Sequence, residues 1–145
     1  MDIREAQWKE TLPGAAVGLA AGVVAGGLAA LVGQPLSWAL VTMLALGVPL
    51  GLLGGTLGLL VASGLLPRGR FAPVALFWLV GFPLARLIHE IAVSLVLTGQ
   101  VRLPSDLAGF LAYQGLVSMG WAIGFLWLHE RIALRMRTSA ATTSR

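Results

Sequence analysis

The chain has 145 residues, of which 57% are hydrophobic and 11% charged, and its mean hydropathy is +0.87. A soluble domain carries about 25% charged residues, so this composition excludes a soluble globule and points to an integral membrane protein. Cysteine is absent, which excludes disulfides, thiolate metal centres, iron–sulfur clusters and thiol catalysis. The net charge of +4 comes from arginines near the ends of apolar runs, with Lys9 the only lysine. That distribution suits phospholipid headgroups, whereas a nucleic-acid footprint needs a clustered basic face.

Residues 1–12 carry Asp2, Glu5 and Glu10 against Arg4 and Lys9, unlike the positive opening of a cleaved secretory signal. Ile3, Trp8 and Leu12 alternate with those charges, which predicts a short cytoplasmic interfacial helix with Trp8 at headgroup level. A first span is expected over 13–32, ending at Gly33-Gln34-Pro35, a turn without charge. A second follows over 37–65. From Leu36 to Leu66 every residue is small, apolar or hydroxyl-bearing, a stretch longer than a hydrocarbon layer of ~30 Å needs. It must tilt or bend, and Pro49 is the natural bend because proline removes a backbone donor.

Leu66-Pro67-Arg68-Gly69-Arg70 reads as a loop, and a third span is expected over 71–98. Residues 99–105 turn the chain, and a fourth span covers 106–128 with Ser105 or Asp106 as its N-cap. Residues 129–145 form a basic cytoplasmic tail whose Thr-, Ser- and Ala-rich end is expected to be partly disordered. With four spans, Arg4, Lys9, Arg68, Arg70, Arg131, Arg135, Arg137 and Arg145 fall on one side and Arg102 on the other. The positive-inside rule then puts both termini in the cytoplasm. The expected fold is all-α: a polytopic membrane protein whose four transmembrane helices form two antiparallel hairpins. The low lysine and high alanine, glycine and arginine content suggests a bacterial cytoplasmic (inner) membrane.

Within the third span lie Arg86, His89 and Glu90. An ionised group at the bilayer centre costs roughly 2.5–3.5 kcal/mol on insertion scales, so such residues mark an intramembrane functional site by default. Their spacing of i, i+3, i+4 puts all three on one helical face, within reach of one another. Pro83 deprives the carbonyl of Leu79 of its helical donor, and Arg86 is placed to donate both there and to Glu90. One reading is an internally neutralised pair that fixes helix packing. The other is a proton or ion relay, with Glu90 as the proton-carrying acid, Arg86 as its counter-charge and His89 as a second titratable group. Counted from the outer loop, Gln114 of span four comes at about the depth of Glu90, and Ser118 at about that of Arg86. They are the expected neighbours, with polar contact between helices as their plainer role.

His89-Glu90 opens like the His-Glu-x-x-His signature of membrane-embedded zinc proteases, but Val93 stands where the second histidine belongs. No metal site and no cofactor is expected. His129-Glu130 repeats the same dipeptide on a span of opposite direction, and a bis-histidine haem would need another subunit.

Gly14, Gly18, Gly22 and Gly26 recur every four residues in span one, and Gly47, Gly51, Gly54, Gly55 and Gly58 crowd span two. Such faces let helix backbones approach closely, so glycine-rich packing of spans one and two is expected, with self-association as the alternative. Gly120 and Gly124 make a weaker small-residue face on span four. The short loops leave little aqueous surface for a soluble-type active site, which disfavours an enzyme. Two functions remain. One is a small transport-type or channel-type protein, expected to be a homo-oligomer because four spans enclose little pathway, with Arg86, His89 and Glu90 as its polar centre. The other is a non-catalytic integral or assembly subunit of a larger membrane complex. The lipid bilayer is the partner in both, with further membrane subunits in the second and nucleic acid in neither.

Overall fold

In the computed structural model the described residues are 3–143, with side chains described from Trp8 onward except at 137 and 139–143. The chain forms four helices, α1 (Ile3–Leu31), α2 (Leu36–Ala62), α3 (Phe71–Thr98) and α4 (Leu107–Thr143). Each contains a segment long and apolar enough to cross a membrane: Trp8–Leu31, Leu36–Ala62, Phe71–Thr98 and Leu107–Met136. The interfacial role expected of Ile3 and the orienting charges of Arg4, Arg137 and Arg145 fall outside the described side chains.

Helix α3 fills residues 71–98, and three other helix limits depart from the expected boundaries. The interfacial segment and the first span are one continuous helix with Pro13 inside it. Proline there removes a single hydrogen bond, the one to the carbonyl of Lys9, and Lys9 is exposed where water can replace it. Helix α2 runs unbroken past Pro49 and stops at Ala62, ahead of Gly64 at φ 78°. Helix α4 continues past Leu128 to Thr143, so most of the expected tail is helical, because Ala133, Leu134, Arg135 and Met136 are strong helix formers that follow without a breaker. At its start, the carboxylate of Asp106 accepts the backbone N–H of Gly109 at 2.9 Å, so Asp106 is the cap.

The first turn depends on Gly33 at φ 84°, with the N–H of Gly33 on Ala30 and that of Gln34 on Ala29, both 3.0 Å. It sends α2 back along α1. Gly14 meets Gly54, Gly18 meets Leu50 and Gly51, Gly22 meets Gly47, and Gly26 meets Ala39. A Cβ on Gly14, Gly18 or Gly22 would overlap the backbone of α2, and one on Gly58 would come 2.6 Å from the carbonyl oxygen of Glu10. Gly120 and Gly124 of α4, by contrast, have nothing within 4 Å of a built Cβ and face outward.

Helices α3 and α4 meet through aromatic rings. Trp78 is fully buried; it packs edge-on against Trp121, at 5.4 Å between ring centroids, and tilted against Phe125, at 4.9 Å. Leu50, Leu57, Val74, Ala85 and Ala122 complete this core. Large apolar side chains such as Leu44, Leu76, Leu116 and Ile123 point outward. In lipid such exposure has no cost, so the bundle is held by close contact and hydrogen bonding rather than by exclusion of water.

Candidate functional site: a charged cluster inside the third span

From His89 to the end of α3 at Thr98 the helix rises ~13 Å, which puts the cluster deep in a hydrocarbon layer of ~30 Å, toward the side of the 99–106 loop. One turn of helix separates Arg86 from His89 and Glu90, and the side chains meet across it. Arg86 donates from Nη2 to Glu90 Oε1 at 2.8 Å, and its Nη1 lies 2.8 Å from His89 Nδ1. With Arg86 donating there, Nδ1 is the acceptor and the proton of a neutral imidazole resides on Nε2. That nitrogen faces the hydroxyl of Thr42 on α2 at 3.3 Å. Glu90, Arg86, His89 and Thr42 thus form a continuous hydrogen-bonded run from one face of α3 into α2.

The guanidinium divides its donors between Glu90 and His89, whereas the expected bond to the carbonyl of Leu79 is not among those formed. The reason is geometric. His89 and Glu90 lie one turn further along the same face, and the flat guanidinium fork spans both at once.

Burial grades across the run. His89 is 8% exposed, while the side chains of Arg86 and Glu90 keep 23% and 38% of their surface accessible. The imidazole is therefore enclosed between α2 and α3, and the ion pair opens at the edge of the seam. Both imidazole nitrogens are engaged by protein groups, and no group of three or more potential metal ligands occurs among the described residues.

Gln114 and Ser118 are both buried, as their shared face on α4 requires, but they form no hydrogen bond with the cluster among the described residues. The Ser118 hydroxyl turns back onto its own helix and donates to the carbonyl of Gly115 at 2.6 Å. Depth alone could not find the true neighbour, because His89 lies on the side of α3 that meets α2. Thr42 was legible only as a hydroxyl in the outer half of an apolar span. Below the cluster, Phe82, Trp121, Trp78 and Phe125 form an apolar layer, and the indole N–H groups of Trp78 and Trp121 have no acceptor among the described residues.

These features define a multi-pass α-helical membrane protein with a hydrogen-bonded charged cluster in its third helix. No family model, curated protein or solved structure matches the chain.

Proposed function

We propose that the chain is a small transport-type or channel-type membrane protein in which Arg86, His89 and Glu90 are the polar centre for proton or ion movement. The observation that carries this reading is the run Glu90–Arg86–His89–Thr42, which links two helices by hydrogen bonds inside an apolar bundle. Glu90 and His89 are the groups that can exchange a proton, with Arg86 as the counter-charge that holds both, and ionisable residues within spans mark relays in pumps and transporters. Glu90, the more accessible end, takes a proton from the outer side; when Arg86, which can only donate, turns away from His89 Nδ1, that nitrogen, 3.7 Å from Glu90 Oε1, accepts the proton, and Nε2 releases its own toward Thr42. The aromatic layer beneath closes the path within one chain, so conduction requires either a movement of α3 against α2 or a pathway between copies.

In this reading the glycine faces lock α1 and α2 into a hairpin, α3 and α4 form a second, and the protein works as a homo-oligomer. It sits in a bacterial cytoplasmic membrane with both termini inside, following the arginine bias. The test is reconstitution into vesicles holding a pH-sensitive dye under an imposed potassium potential. Flux above that of empty vesicles is expected, with Glu90→Gln lowering it by about 10²-fold or more, the range typical of removing an acid–base group. Wild-type flux equal to that of empty vesicles refutes the proposal.

One observation favours a second reading, an integral or assembly subunit of a larger complex. The Arg86–Glu90 pair retains accessible surface at a depth where lipid solvates charge poorly, so another chain would complete its surroundings. Under this reading a partner co-purifies in mild detergent and is lost when Glu90 is neutralised.

A further inference from the structure

The opposite end of the bundle holds a cavity of about 230 Å³, independent of the charged cluster. Leu57 of α2, Val74 of α3 and Phe125 of α4 line its apolar interior, and Glu10, Arg68 and Glu130 stand around it. It lies where α1 enters the apolar zone and α4 leaves it, so its walls continue the hydrocarbon layer and its rim reaches the headgroups.

The charges on that rim are unlike the surrounding basic surface. Arg68 Nη2 pairs with Glu10 Oε1 at 3.0 Å, yet the Arg68 side chain is 57% exposed, so much of its donor fork still faces outward. Glu130 is exposed beside Gly69, with Oε1 3.4 Å from where a Cβ on that glycine would stand, and it forms no ion pair among the described residues. The neighbouring Arg131 lies over the ring of Trp127 at 4.6 Å, a cation–π contact on its own helix. The mouth therefore offers an accessible guanidinium, which suits a phosphate, and a separate carboxylate, which suits an ammonium.

We infer that this cavity is a binding site for a phospholipid with a phosphoethanolamine-type headgroup. Its phosphate meets Arg68, its primary ammonium meets Glu130, and a stretch of acyl chain fills the cavity. The volume is below the ~300–1,000 Å³ of a drug-sized pocket, which fits part of a chain whose remainder lies in the bilayer. A phosphoglycerol head keeps its phosphate on Arg68 but brings no cation to Glu130, so the carboxylate stays without a counter-charge and the net negative lipid is disfavoured. A quaternary ammonium has no N–H to donate to the carboxylate, so the rim discriminates against both.

The test uses the full chain reconstituted with equal amounts of phosphatidylethanolamine, phosphatidylcholine and phosphatidylglycerol of matched acyl chains, extracted gently and weighed intact with its retained lipid. Phosphatidylethanolamine is expected to be enriched about tenfold over the other two, as one charge-assisted hydrogen bond provides. Glu130→Gln should abolish that enrichment, Glu130→Lys should shift it toward phosphatidylglycerol, and Arg102→Gln at the other end should leave it intact. Because Glu130 is exposed, its replacements leave the core untouched. Equal retention of the three lipids by the wild type, or a preference that survives both Glu130 variants, overturns the site. Displacement of the lipid by soluble phosphoethanolamine would overturn the role given to the acyl chain.

Discussion

His89 Nε2 and the hydroxyl of Thr42 stand 3.3 Å apart, and through that contact a charged face of α3 is tied to α2. A hydrogen bond between spans contributes about 0.6 kcal/mol on average and at most about 1.7 kcal/mol, because the separated helices also find partners. The contact therefore orients the imidazole more than it holds the bundle together.

Thr42→Val keeps the shape and removes the hydroxyl. It should lower stability in detergent by about 0.6 kcal/mol while reducing any cluster-dependent flux more severely, and Thr42→Ser should restore both. Reversible unfolding and vesicle flux measured on the same three proteins check this. Equal flux in Thr42→Val and wild type would remove Thr42 from the relay.

The ion pair makes a second prediction. Arg86→Gln leaves Glu90 without its counter-charge inside the span, and Glu90→Gln does the same to Arg86. Each single change should cost about 2.5–3.5 kcal/mol if the orphaned charge stays in the bilayer, less where it reaches water. The double change removes both charges and should be milder than the worse single change. A double-mutant cycle by unfolding in bicelles reads the coupling, and strictly additive costs would show that the two side chains do not interact in the membrane.

How much of this was legible in the sequence depends on the range of the cause. The spacing of Arg86, His89 and Glu90 is local to one helix, so their mutual contact followed from the 3.6-residue period. The limits of α3 were equally local, set by charged and glycine-containing loops at both ends. Thr42 was not foreseen because its contact depends on how α3 is rotated against α2, which a single apolar helix does not encode. The helical extension of α4 beyond Leu128 lies in a segment whose arginines mark a basic tail, and a charge pattern says where the segment sits but not its conformation, which Ala133 to Met136 set. The division of Arg86 between Glu90 and His89, rather than Leu79, depended on side-chain reach that spacing leaves open.

Close approach of α1 to α2 gives a third prediction, with an internal control. Gly18→Ala and Gly22→Ala place a methyl into backbone, so α1 must shift as a whole, and about 1–3 kcal/mol of destabilisation is expected. Gly120→Ala adds the same group to open space on α4 and should be neutral or slightly stabilising, since alanine is the better helix former. Unfolding midpoints of the three variants separate packing from propensity, and a Gly120 variant as damaging as the others would place that glycine in a contact between copies.

Trp78 gives the last prediction, because two effects of opposite sign meet at one side chain. It is fully buried against Trp121 and Phe125, so Trp78→Ala opens a cavity between α3 and α4 and should cost about 3–5 kcal/mol. Its indole N–H has no acceptor among the described residues, and a buried donor without a partner itself costs about 1–3 kcal/mol. Trp78→Phe removes that donor while keeping an aromatic ring against Phe125, so the lost volume and the relieved donor offset each other. The expected net cost is under about 1.5 kcal/mol. If instead Trp78→Phe is nearly as damaging as Trp78→Ala, the N–H has an acceptor in the membrane, and the aromatic layer below the cluster contains a polar group such as a bound water. Unfolding of both variants, with hydrogen exchange at the Trp78 indole, distinguishes the cases.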